Sequence, residues 1–155
     1  MHEHNPHNIP LAYLITFTCY GTWLHGDARG SVDGAHNQFG TPFLTEDYCK
    51  RPLAHSPVVL SPEQRKNVTE SLIEACSFRH WKLWEVNVRS NHVHVVLSSE
   101  ELPKEIMRKL KSRCTTSLKG AGLFDGKRLW TEGGSGRYLW TESAVESACR
   151  YVREQ

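Results

Sequence analysis

Hydrophobic positions along the chain come in two rhythms, one alternating every second residue and one recurring at three and four. The stretch LAYLITFTCYGTWL (11–24) alternates β-branched and aromatic residues with smaller ones until Gly21 breaks the run, which predicts a first strand. Residues 21–57 are rich in Gly, Pro, Asp, Asn and His and show little periodicity. They predict a long irregular excursion, the kind of loop that is more often functional than idle. LSPEQRKNVTESLIEACSFRH (60–80) then opens with Ser61 as N-cap, Pro62 at the first helical position and Glu63 in the first turn. Its expected apolar stripe is Val68, Leu72, Ile73, Ala75 and Cys76.

Two alternating runs follow, WKLWEVNVR (81–89) and HVHVVLS (92–98), separated only by Ser90 and Asn91. This spacing predicts a hairpin. ELPKEIMRKLKSRCTTSLKG (101–120) predicts a second helix, with Pro103 near its start, Gly120 at its end, and Ile106, Met107, Leu110 and Cys114 on one side. KRLW (127–130), in a glycine-rich segment, is the expected fourth strand. TESAVESACRYVREQ (141–155) predicts a last helix, capped by Thr141, with Ala144, Val145, Ala148, Cys149 and Val152 as its stripe.

The order β, α, β, β, α, β is that of a ferredoxin-like (RRM-like) α+β fold, an antiparallel sheet with helices on one face, here followed by an extra C-terminal helix. One domain over residues 1–155 is expected, since the length suits a single core and crowds two. The second face of the sheet is left to hold a site.

Composition narrows the chemistry. No stretch approaches the roughly 20 apolar residues of a membrane span, and the first ten residues have no apolar signal core, so a cytoplasmic location with no membrane partner is expected. The five cysteines are odd in number and contain no CxxC pair, which argues against a disulfide framework or a zinc knuckle. A formal charge of +2 says little about partners, but its distribution says more. Lys104, Arg108, Lys109, Lys111, Arg113, Lys119, Lys127 and Arg128 face only Glu105 and Asp125 in the same segment, an excess suited either to a phosphate backbone or to a solvated helix face.

The candidate chemistry begins in NHVHVVL (91–97). On a strand His92 and His94 share one face while Val93, Val95 and Leu97 take the other. Same-face neighbours stand roughly 6.5 to 7 Å apart, near enough for two imidazoles to converge on one metal ion. With nine histidines in 155 residues, about half an HxH pair arises by chance, and HEH at positions 2–4 is another. The pair alone leaves both a ligand role and a structural role open. A histidine-triad hydrolase would need a third alternate histidine where Val96 stands, and a two-histidine phosphoesterase needs a second His-x-Thr or His-x-Ser strand that the chain lacks. Asn91 is first a turn residue, with a hydrogen bond to the neighbouring ring as the alternative.

Tyr151 and Gln155 are four apart and so share one side of the last helix. A phenol is a nucleophile once positioned and deprotonated, and a Gln carbonyl oxygen can ligate a hard cation. Packing of Tyr151 at the edge of the apolar stripe remains the other reading.

Taken together, NHVHVVL and the later YVREQ resemble the single-tyrosine HUH transposases, which include the small insertion-sequence transposases and the REP-associated tyrosine transposases. His92-Val93-His94 matches the family's His-hydrophobic-His strand, and Tyr151 with Gln155 matches its Tyr-x-x-x-Gln helix. CYGTWLHGDARG (19–30) and LWTESAVESACRYV (139–152) resemble the first strand and the run into the tyrosine helix of the REP-associated branch. Tyr138 is a second tyrosine nearby, but Glu142, not Gln, lies four residues beyond it.

The resemblance implies cleavage and rejoining of single-stranded or hairpin DNA through a 5′-phosphotyrosine at Tyr151. It also implies Mg²⁺ or Mn²⁺ held by His92, His94 and Gln155, in a monomer or homodimer. Lys104, Arg108, Lys111 and Arg113 are the candidate backbone contacts, and Trp23, Trp130 and Trp140 the candidates for base stacking. Two rivals are a non-catalytic RRM-like nucleic-acid-binding module, which would want aromatic residues on the open sheet face, and a small metal-dependent phosphohydrolase.

Overall fold

In the computed structural model, residues 8–22 and 55–155 are described. Within them the elements run β1 (Ala12–Thr18), α1 (Pro62–Phe78), β2 (Lys82–Val88), β3 (His92–Ser98), α2 (Pro103–Gly120), β4 (Ser135–Leu139) and α3 (Glu142–Glu154). Most of the expected 21–57 excursion, with Trp23 in it, and the histidines of the N-terminal tail lie outside the described residues.

The strands form one sheet in the order β2-β3-β1-β4, with every neighbouring pair antiparallel. This is the ferredoxin-like arrangement the element order implies. β1 and β3 are the inner strands, and β1 is buried at every position. On one face Tyr13, Ile15, Phe17, Val93, Val95 and Leu97 meet Val68, Leu72, Ala75 and Cys76 of α1 and Ile106, Leu110, Cys114 and Leu118 of α2. Burying a Val, Leu, Ile or Phe side chain fully is worth roughly 1.5–3 kcal/mol, so this layer is the main source of stability.

Local signals set the helix ends. Ser61 and Gln64 form a reciprocal capping box around Pro62, and Thr141 accepts from the Ala144 amide to start α3. The stripe of α1 differs from expectation at one position. Ile73 is 46% exposed, whereas Ser71 is buried, its hydroxyl donating to the main-chain oxygen of Asn67 at 2.8 Å. That bond satisfies the one group whose burial hydropathy disfavours.

The fourth strand is also displaced from its expected place. Trp130 makes only an isolated bridge to Cys19, and the strand proper is Ser135–Leu139, paired along β1. Glycine-rich sequence normally argues against a strand. Here Gly136 is needed because α2 begins against it: a Cβ at that position would stand 2.4 Å from Pro103 Cβ. Gly134, at φ +157°, turns the chain into the strand.

The other face of the sheet is divided along the strands. At one end Ala12, Leu14, Val96 and Leu139 form an apolar patch that seats Val145, Ala148, Cys149 and Val152 of α3. At the other end the same face carries Thr16 and Thr18 of β1 opposite His94 and His92 of β3. The amphipathic helix is therefore anchored on the apolar half and its last turn reaches over the polar half. The four described cysteines, Cys19, Cys76, Cys114 and Cys149, are buried free thiols. Burial pushes the pKa of Cys19 and of Cys114 up to about 12, which makes both poor nucleophiles.

Candidate active site

Strand alternation puts His92 and His94 on the α3 face, and register aligns their neighbours. His94 stands between Thr16 on β1 and Asn87 on β2, and His92 pairs with Thr18. The hairpin between β2 and β3 closes through the Arg89 amide donating to the His92 main-chain oxygen at 2.8 Å. The two rings meet edge to face with centroids 4.8 Å apart.

Each ring is held through Nδ1. His94 Nδ1 lies 2.8 Å from Thr16 Oγ1, and His92 Nδ1 lies 2.7 Å from Asn91 Oδ1. An amide oxygen only accepts, so His92 Nδ1 is the donor in this pair. Asn91 sits in the bend between β2 and β3 and also makes the hydrogen bond to the neighbouring ring. His94 is 6% exposed, and burial, with His92 and Arg89 nearby, lowers its pKa to about 4. It is a neutral ring at neutral pH, the form that offers a lone pair to a metal.

Tyr151 comes to the same place from α3. Its ring stands 5.6 Å from that of His94, nearly perpendicular, and the residue remains 48% exposed. Its neighbours are tied to β2 and the residue after it: Asn87 Nδ2 donates to the main-chain oxygens of Val152 (2.8 Å) and Gln155 (3.2 Å), Arg89 also donates to Gln155, and Arg153 pairs with Glu85 at 3.1 Å. Tyr138 is placed elsewhere. It packs edge-on against Tyr13 at 5.1 Å on the face that holds α1 and α2, across the sheet from the histidines.

The site therefore brings His92, His94 and Tyr151 together, with the Gln155 backbone bonded beside them. It does not bring in the basic residues of α2, which packs on the opposite face. Lys104 is exposed, Arg108 pairs with Glu105 at 2.8 Å and Arg113 with Glu74 at 3.1 Å. Lys111 turns inward, donating to the main-chain oxygens of Thr131 (2.9 Å) and Gly133 (2.6 Å), and burial lowers its pKa to about 8. Its ammonium is committed to the protein and is not a surface contact for phosphate. Trp130 is likewise buried, edge-on to Phe17, while Trp140 is 39% exposed.

Sequence reasoning missed Thr16, Asn87 and Arg89. Their common signal is period two: Glu85, Asn87 and Arg89 alternate with Val86 and Val88 at the end of the β2 run, as Thr16 and Thr18 alternate with Phe17 on β1. Two imidazoles with ordered Nδ1 partners suit a divalent cation, because ligand histidines normally donate their second ring nitrogen to such a partner. Among the described residues no three His, Cys, Asp or Glu side chains cluster as a metal site. On β1 and β3 this face carries no Phe, Tyr or Trp, which removes the stacking platform of an RRM-like module.

Fold and site together define an α+β protein that sets a tyrosine beside two imidazoles, the His94 ring being the buried, neutral one. Residues 55–155 match the family described as "Transposase IS200 like", and the chain belongs to this family, that of the single-tyrosine HUH transposases. Two solved structures are similar in fold. One is a REP-associated tyrosine transposase bound to a REP hairpin, at TM-score 0.51 and 11% identity over 93% of this chain and 65% of that one. The chain thus spans about two thirds of the length of that relative. The other is a protein of Deinococcus radiodurans R1 provisionally designated a transposase, at TM-score 0.55 and 13% identity over 100% of this chain and 98% of that one. No curated protein matches the sequence. Among the described residues no helix is long and apolar enough to cross a membrane.

Proposed function

We propose that the chain, as one domain acting in the cytoplasm, cleaves and rejoins single-stranded DNA at a hairpin, with Tyr151 as nucleophile. The observation that carries this reading is the approach of Tyr151 to within 5.6 Å, ring to ring, of His94 in the same chain. The phenol oxygen attacks the scissile phosphorus and gives up its proton. The bond from phosphorus to the 3′ oxygen breaks, and that oxygen takes up a proton as a free 3′-hydroxyl. The 5′-phosphotyrosine preserves the phosphoester bond, so attack by a 3′-hydroxyl reverses the step and joins strands. Half-exposure of Tyr151 leaves room for the substrate.

His92, His94 and Gln155 are the proposed ligands of Mg²⁺ or Mn²⁺, which would supply positive charge to a non-bridging phosphate oxygen that otherwise repels a phenolate. Thr16 and Asn91 orient the two rings, and burial keeps His94 neutral for the purpose. Lys104, Arg108 and Arg113 are proposed to contact the DNA backbone. The ion pairs of Arg108 and Arg113 are exposed and worth about 0–1 kcal/mol, so a phosphate exchanges for the carboxylate at little cost. The hairpin-bound relative supports a DNA partner.

The test is incubation with labelled single-stranded hairpin oligonucleotides and Mn²⁺, followed by a denaturing gel. A protein–DNA adduct is expected that Tyr151→Phe abolishes and chelation prevents. An adduct that survives Tyr151→Phe, or binding without cleavage, refutes the proposal.

A further inference from the structure

The apolar seat of α3 ends at Val152, yet Tyr151 lies in the last turn, beyond most of that seat. The final carbonyls of a helix have no partner within it, so a last turn that overhangs a polar surface has little to fix its position. Here β2 and Arg89, the residue that follows it, supply what the helix lacks. Glu85, Asn87 and Arg89 stand on one face at period two, and all three bond to residues 152–155. Glu85 with Arg153 is the outermost, and an ion pair with a 65% exposed side chain holds weakly. Asn87 is the central one. Its amide donates to two main-chain oxygens, and its register partner on β3 is His94. One side chain on β2, beside His94 of β3, therefore holds the turn that carries the tyrosine.

We infer that Asn87 is a positioning residue for the nucleophile: by donating to the Val152 and Gln155 oxygens it fixes the last turn of α3 and so holds the Tyr151 phenol against His94. This rests on the proposed role of Tyr151. The amide is needed in both capacities, as a donor and as a group of this length. A carboxylate of the same shape presents only acceptors to the two oxygens and repels them, and an aliphatic side chain leaves them unpaired. One residue of slip moves a helix about 1.5 Å along its axis, enough to lose an in-line attack geometry.

The experiment compares wild type with Asn87→Asp, Asn87→Ser and Asn87→Gln in two measurements. The first is single-turnover adduct formation against DNA concentration, with labelled hairpin oligonucleotide and Mn²⁺. Asn87→Asp is expected to lower the saturating rate tenfold or more at an unchanged half-saturating concentration, with Asn87→Ser intermediate and Asn87→Gln, which keeps the donor, recovering part of the loss. The second is amide hydrogen exchange, which needs no activity. Asn87→Asp is expected to lower protection of residues 150–155 by about tenfold and to leave 142–149 as in wild type. Wild-type rate in Asn87→Asp, or wild-type exchange at 150–155, overturns the inference, as does loss of protection along the whole of α3. A wild-type protein that forms no adduct instead refutes the catalytic reading, and the exchange result still decides whether Asn87 holds the turn.

Discussion

Replacing Thr16 by Val exchanges one hydroxyl for a methyl group of similar size at a site where apolar burial and strand preference both favour valine. Thr16 is 7% exposed on an inner strand, so ranking by hydrophobicity predicts a more stable protein. The hydrogen bond argues the reverse. Thr16 Oγ1 lies 2.8 Å from Nδ1 of His94, itself 6% exposed, and a buried polar nitrogen left unpaired costs about 1–3 kcal/mol. The gain from one added buried carbon is about 0.8 kcal/mol, so the loss dominates. Thr16→Val is expected to be destabilised by roughly 1–2 kcal/mol, lowering the urea midpoint by about 0.5–1 M at a slope of about 2 kcal/mol per molar, within the typical range of about 1–3. Thr16→Ser keeps the hydroxyl, loses one methyl, and is expected to be the more stable of the two variants. Urea titrations followed by circular dichroism at pH 7 measure both. A Thr16→Val protein as stable as wild type, with Thr16→Ser below it, would show that the contact to His94 contributes nothing and that the strand is governed by burial alone.

Acid is expected to act through the same ring. His94 titrates near 4 in the folded protein and near 6.5 unfolded, so below pH 6.5 the unfolded chain takes up the proton first. Its contribution is complete above about pH 6.5 and is lost as pH falls towards 4, by up to about 3 kcal/mol, and urea midpoints across that range should flatten in His94→Gln. Gly136→Ala is expected to destabilise by about 1–3 kcal/mol, read as a lower thermal midpoint, because the new Cβ meets Pro103 at 2.4 Å. Lys111→Met removes the donor to the Thr131 and Gly133 oxygens; it should cost about 1–3 kcal/mol in denaturant while leaving the salt dependence of DNA binding unchanged.

Much of the fold was legible because local physics decides it. The proline and caps at the helix starts, the period-two runs and the two-residue hairpin turn act within a few residues of themselves, and their boundaries fall at Pro62, Pro103, Glu142 and His92 as expected. The fourth strand was not legible, because Gly136 is chosen by the approach of Pro103 from another element. Ile73 was misplaced for a related reason: the face a helix buries depends on what packs on it, and Ser71 could be buried only once Asn67 accepted its hydroxyl.

For the candidate site, the sequence by itself determined that His92 and His94 share a face and that Tyr151 and Gln155 share another, since both follow from the period of a single element. Only tertiary structure decided that the two faces meet. The apolar end of the sheet, at Leu14, Val96 and Leu139, draws in the Val145, Ala148 and Val152 stripe of α3, and this seating carries Tyr151 over the polar end. Thr16, Asn87 and Arg89 owe their importance to register and to that docking, which relate residues tens of positions apart. Such pairings arise from packing free energy summed over the whole molecule, so no short stretch of sequence records them.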